Sequence, residues 1–327
     1  MRKIIEPFDN EAAFPRAVRE YTDGMSFAVT DIETLGLSPA YDPVILVGMM
    51  ICGRDERTLV QYFAETPGDE RDVLEAAAEQ LAKCDFVVTY NGRFFDMPFL
   101  EKRSRKYGVS VPKLYDLDIF TVLKYYSDLP NTIGSMSQKN VERFAGISDD
   151  RTDEISGGES ISMYDEYVRC GSKECENKIL LHNADDVRQL YSLIPVLRYA
   201  DIDRAFARSG FPVRGGAVKK VDVKRGEIIV RGITRKPGNY IKFPSAEEPF
   251  LFKRSAGDNS FEISIPCEMR DGSMFFDTSF APECAIQAAS EFPEFASGYL
   301  IVKEGSTTNY AGLNAFLRKF VPGLLTL

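Results

Sequence analysis

Apolar runs of strand length and apolar stripes of helical spacing alternate along the first two hundred residues. The run 26–30 (SFAVT) is short and β-branched, and 44–52 (VILVGMMIC) is apolar without a break, so both predict strands, the second one buried. Residues 58–63 (TLVQYF) alternate and suit a neighbouring strand. In 70–83, Val73, Leu74, Ala77, Ala78 and Leu81 fall on one helical face. Residues 85–89 (DFVVT) predict another strand, ended by the turn signal Tyr90-Asn91-Gly92. A helix over 95–107 follows, with Pro98 in its first turn, where proline is tolerated. A short strand at 114–117 leads into a helix through Tyr126, and helical patterns return at 138–144, 163–169 and 179–199. Strands first, then strand and helix in alternation, then helices, predict an α/β layer protein with a mixed sheet.

The texture changes near Ser209-Gly210. Residues 219–223 and 227–233 flank Lys224-Arg225-Gly226 as the arms of a hairpin do, 250–253 and 261–265 suggest further strands, and 281–290 and 311–320 short helices. A chain of 327 residues is expected to hold two domains, here 1–209 and a smaller β-rich 210–327. A composition of 44% hydrophobic and 27% charged residues excludes disordered and fibrous classes. The longest apolar run is of strand length, against the ~18 residues of a membrane span. The N-terminal twenty residues lack the apolar core of a secretory signal, and the six cysteines lack paired CxxC spacing. Reduced thiols in a cytoplasmic protein are the expectation.

The net charge of −9 does not advertise a nucleic-acid binder, but its distribution is uneven. Residues 1–199 hold 23 Lys and Arg against 34 Asp and Glu, and 200–327 hold 17 against 15. Within 204–254, 13 basic residues face 4 acidic ones. Such a stretch suits either a phosphate-binding surface or a solvated β face.

Three elements carry candidate chemistry. Asp31 and Glu33 sit at the end of the first strand, and at two-residue spacing on an extended chain their side chains share a side. Two carboxylates turned the same way favour a divalent cation between them. The second element is YNGRFFDMPFL, residues 90–100, in which Asp96 opens a helix beside Asn91 and Phe95. Asp96 suits a helix N-terminus electrostatically, while Asn91 and Phe95 suit hydrogen bonding and stacking with a nucleotide. The third is LLHNADDV, residues 180–187, where His182, the only histidine, lies four residues before Asp186 on one helical face. Asp185, three residues from His182, competes for that face.

Together and in this order, DIETLGL, YNGRFFDMPFL and HNADDV resemble the three motifs of the DEDD 3′–5′ exonucleases of the ribonuclease H-like superfamily. With ISGGESISMYDEY at 155–167, the chain is most similar to the YprB-like predicted exonucleases, over roughly residues 27–197. The resemblance implies a ribonuclease H-like mixed sheet of five strands flanked by helices. It implies that Asp31, Glu33, Asp96 and Asp186 bind two Mg²⁺ or Mn²⁺ ions, and that His182 is the general base. It implies that Thr34 and Asn91 contact the terminal nucleotide while Leu35 and Phe95 press on its base. Superfamily members with a histidine base usually place it five residues before the last aspartate, and those with tyrosine four; here a histidine stands at four.

The expected activity is therefore metal-dependent 3′–5′ hydrolysis of DNA or RNA, with a single-stranded 3′ end as substrate and no membrane partner. The competing expectations are a non-catalytic nucleic-acid-binding module on the same fold and a structure-selective endonuclease. The basic hairpin, with Lys219, Lys220, Lys224, Arg225, Arg231 and Arg235, is the expected track for phosphates beyond the cleaved end.

Overall fold

The structure is a computed structural model that describes every residue except 10–11, 23, 54–55 and 148–156. Ile155 and Ser156 of the 155–167 stretch therefore lie outside the described residues. The chain divides into two compact units, Met1–Arg16 with Asp23–Ala200, and Ala17–Thr22 with Asp201–Leu327.

Strands β1 (Arg2–Pro7), β2 (Phe27–Thr34), β3 (Val44–Cys52), β4 (Arg57–Phe63), β5 (Phe86–Thr89) and β6 (Tyr115–Asp118) form the sheet of the first unit, in the order β1-β4-β3-β2-β5-β6. The first four of these neighbours pair antiparallel, while β5 joins β2 and β6 joins β5 in parallel. The mixed sheet is as expected but has six strands, not five. The extra strand, β1, is an edge strand exposed along most of its length, so its sequence RKIIEP carries no alternation to read.

Helix α1 (Arg16–Thr22) lies, save Arg16, in the second unit, and the helices of the first are α2 (Glu70–Leu81), α3 (Asp96–Lys106), α4 (Ile119–Tyr126), α5 (Leu129–Ile133), α6 (Gln138–Ala145), α7 (Gly157–Cys170) and α8 (Lys173–Leu193). The single helix expected over 179–199 ends at Leu193 and continues as a 3₁₀ turn, Ile194–Tyr199, because Pro195 has no N–H to donate. One face of the sheet packs Ala28, Val47 and Met49 against Val73, Leu74 and Ala77 of α2 and Phe99 and Leu100 of α3. Ile45, Leu46 and Phe63 pack instead against Tyr164 and Tyr167 of α7 and Ile179 of α8. β3 lies between the two layers, with Val44–Val47 fully buried, which accounts for its unbroken apolar sequence.

The second unit begins before the expected boundary and takes in α9 (Ile202–Ser209). Strands β7 (Phe211–Val213), β8 (Gly216–Lys224), β9 (Glu227–Thr234), β10 (Tyr240–Lys242), β11 (Leu251–Arg254) and β12 (Ser260–Pro266) form an antiparallel sheet, including the expected hairpin. Shorter strands follow, with helices α10 (Glu283–Ser290) and α11 (Tyr310–Leu325). The hairpin is not a bare cationic surface. Arg231 lies 2.9 Å from Asp222 and 2.8 Å from Glu262, and Lys220 lies 2.7 Å from Asp222. Glu262 belongs to β12, far along the chain, so only the strand pairing brings it beside Arg231. Among the described residues no helix is long and apolar enough to cross a membrane.

Candidate functional site

β2 carries Asp31 and Glu33 towards its C-terminal end, as expected. The ladder to β3 continues through Asp31↔Gly48 and Glu33↔Leu46 before a bulge at Glu33/Thr34. Their shared face meets α8, which supplies His182, Asn183 and Asp186. Helical spacing sets His182 Nε2 3.5 Å from Asp186 Oδ2, and the packing sets it 3.8 Å from Glu33 Oε1. Glu33, His182 and Asp186 can each offer one ligand atom, all within 4.8 Å of one another. Asp185 turns elsewhere: its Oδ1 is 3.3 Å from Arg188 Nη1, and Arg188 Nη2 is 2.5 Å from Glu6 Oε2 on β1. Asp186 is thus the aspartate within 4 Å of His182, and Asp185 pairs with Arg188.

Asp96 arrives from the junction of β5 and α3. Asn91 takes a left-handed conformation (φ +62°), which asparagine tolerates, and its N–H donates to Asp118 Oδ1 at 2.8 Å. A Cβ on Gly92 would lie 2.5 Å from Cβ of Thr89, so the turn closes only with glycine there. The resulting sharp turn sets Asp96, 6% exposed, where it accepts a hydrogen bond from the Ile32 N–H, between the two acids of β2. Asp118 also accepts from the Thr121 N–H at the start of α4, so one carboxylate ties the turn to the next helix.

Burial pushes the Asp31 carboxyl well above its ordinary range, and the charges of Asp186, Asp96 and Glu33 push it further. Glu33 is raised to about 8, by burial first and then by Asp186, with fully buried Ser160 of α7 opposing. Asp96 is raised to about 7, chiefly by burial. Carboxyls that repel one another in a dry pocket are stabilised by a cation. Oxygen donors with one imidazole suit a hard divalent cation, so the residues present fit a metal site.

The four expected substrate residues are less uniform. Asn91 is exposed and Thr34 half-buried, its hydroxyl donating to the Gly36 carbonyl at 2.6 Å. Leu35 packs partly against Ile45, Leu46, Phe63 and Tyr164, and Phe95 lies 5.4 Å from Phe99 ring to ring. Both therefore have a packing role whatever else they touch. Beside Asn91 runs an open groove of about 600 Å³, lined by Tyr90, Phe120, Lys124, Met136 and Gln138 among others. Tyr90 and Phe120 meet edge to face at 5.8 Å, and Lys124 Nζ lies 5.1 Å from the Phe120 ring. Residues the sequence reading missed are Ser160, Asp118 and Asn183. Asn183 stood inside the third motif, and Asp118 directly before an apolar helix as capping residues do.

A family model described as RNase_H superfamily matches residues 28–198. The chain belongs to the RNase H superfamily. The RNase H superfamily match runs from β2 to the 3₁₀ turn after α8 and so includes every site residue named above. The protein YprB of Bacillus subtilis (strain 168) is 27% identical over 166 residues, which is 50% of this chain and 40% of YprB. The family B DNA polymerase of the hyperthermophilic archaeon Pyrobaculum calidifontis is similar at a TM-score of 0.44 and 14% identity, over 99% of this chain and 50% of that one. E. coli Exonuclease I in complex with a dT13 oligonucleotide is similar at a TM-score of 0.36 and 11% identity, over 63% of this chain and 55% of that one.

Proposed function

We propose that the protein is a divalent-metal-dependent exonuclease of the DEDD type, removing nucleotides from the 3′ end of single-stranded DNA or RNA. The observation that supports this reading is that Glu33 and Asp186 lie within 4 Å of the His182 imidazole, while the charges of Asp186, Asp96 and Glu33 all act on the Asp31 carboxyl. Asp31, Glu33, Asp96 and Asp186 would hold two Mg²⁺ or Mn²⁺ ions. When bound, the ions would supply positive charge against the phosphoryl oxygens and acidify water. His182, in its neutral form, accepts the proton of the attacking water. Thr34 and Asn91 hold the terminal nucleotide by hydrogen bonds, Leu35 and Phe95 bracket its base, and the groove beside Asn91 receives the strand on its aromatic wall.

A second role for His182 has its own support. Its Nε2 lies close enough to Glu33 and Asp186 to share an ion with them. Loss of Mn²⁺ affinity in His182→Ala would identify a ligand, and unchanged affinity with slowed turnover a base. The reading as a whole is tested with 5′-labelled single strands incubated with Mg²⁺ or Mn²⁺, alongside a circular single strand. An exonuclease shortens the linear strands and leaves the circle intact. Cleavage of the circle would instead mark an endonuclease, and binding without cleavage a non-catalytic module.

A further inference from the structure

Gln61 on β4, Gly48 on β3 and Asp31 on β2 stand opposite one another in a row across three adjacent strands. Side chains of directly paired residues share a face of the sheet, so Gln61 and Asp31 flank a gap where Gly48 has no side chain. Asn183 of α8 fills that gap: a Cβ on Gly48 would lie 2.0 Å from its Oδ1.

The hydrogen bonds across the gap have one direction only. Gln61 Nε2 lies 2.8 Å from the Leu180 carbonyl oxygen, an obligate acceptor, which fixes this end of Gln61 as the amino end. The same Nε2 lies 2.9 Å from Asn183 Oδ1, which leaves Asn183 Nδ2 to donate to Asp31, 3.0 Å from its Oδ2. The Asp31 carbonyl oxygen lies 3.4 Å from the same nitrogen. Gln61 is 2% exposed and Asn183 fully buried, so an amide turned the wrong way would bury unpaired polar groups, which folding disfavours.

We propose that Gln61 and Asn183 form a positioning relay that fixes the rotation of the Asp31 carboxyl, with Gly48 as the space in which the relay sits. Asn183 holds one carboxylate oxygen, Oδ2, and leaves the other without a bond to the relay. The relay starts from a carbonyl of α8, so it also ties the helix that bears His182 and Asp186 to the strand that bears Asp31. This inference rests on the reading of Asp31 as a metal ligand.

The test is Mn²⁺ affinity of the folded full chain by calorimetry, with thermal melting and oligonucleotide kinetics on the same samples. Removing an outer-shell partner of a metal ligand typically weakens metal binding about 10–100-fold. Asn183→Ala is expected to lose Mn²⁺ affinity in that range and to lower kcat while KM for the oligonucleotide stays near wild type. Gly48→Ala, which displaces Asn183 without touching an acid, is expected to shift Mn²⁺ affinity the same way. Gln61→Met keeps the volume but frees the Asn183 amide to turn over, and is expected to give a smaller loss in the same direction. Should Asn183→Ala or Gly48→Ala fail to fold, Gln61→Met decides. Folded variants with wild-type Mn²⁺ affinity and kcat, whatever their melting temperature, would overturn the relay and leave only a structural network. Asp31→Asn is the reference: if it keeps wild-type Mn²⁺ affinity and turnover, the reading of the site fails, not the relay alone.

Discussion

Removing the Asp31 carboxyl takes one of several mutually repelling acids out of a buried pocket. Asp31→Ala is therefore expected to abolish phosphodiester hydrolysis while the protein stays folded. Activity and melting are measured together; turnover retained at high Mn²⁺, or a collapsed melting temperature, contradicts the assignment. His182→Ala is expected to slow turnover about 10²–10⁴-fold, the usual contribution of general base catalysis. Because hydroxide replaces the base as it becomes available, the deficit should narrow with rising pH; a near wild-type rate at pH 7 contradicts the role. At this scale the acids and the histidine were legible because each has a fixed place in a short motif. Between Asp185 and Asp186, the motif selected Asp186. What the motif did not show is that Asp185 pairs with Arg188, which in turn meets Glu6, 182 residues earlier. Asn183 was visible as a letter but not as a role, since its partners Gln61 and Gly48 lie on strands far from the motif.

Among the elements, the β5–α3 turn depends on Asp118, which caps α4 and accepts from the Asn91 N–H. Asp118→Ala is expected to cost about 1 kcal/mol as a lost helix cap. It should also relax the turn that holds Asn91, seen as weaker oligonucleotide binding beside a lower melting temperature. A lower melting temperature with unchanged binding would show that the turn holds without it. The elements easiest to read were those with both faces or one stripe buried, β3 and α2 above all. The N-terminal strand escaped because an exposed edge strand has no alternation, and the short strands of the second unit because few residues cannot show a period.

For the whole molecule, the raised carboxyls couple stability to pH and metal. Glu33, at about 8, and Asp96, at about 7, bind protons in the folded chain that the unfolded chain has released above its ordinary carboxyl range. The folded state thus holds more protons between about pH 4 and pH 8, so metal-free stability should fall as pH rises through that window. Mg²⁺ or Mn²⁺ should raise the melting temperature more at pH 8 than at pH 5, because the ligands must lose protons to bind it. A metal-free melting temperature that climbs from pH 5 to pH 8 would contradict the buried acids. The basic stretch of the second unit reads differently once folded, since Lys220 and Arg231 lie beside Asp222 and Glu262. Replacing these two cations with Gln is expected to leave the salt dependence of oligonucleotide binding unchanged; a slope flattened by about 0.7 for each would mean that they hold phosphates. Directional hydrolysis at the carboxyl pocket is tested by product analysis on matched single-stranded DNA and RNA oligonucleotides labelled at the 5′ end. With Mg²⁺ or Mn²⁺ a ladder of labelled products shortening one nucleotide at a time is expected, absent with chelator and absent in Asp186→Asn. Release of the label as a mononucleotide at the first time point, or the same ladder from Asp186→Asn, would contradict it.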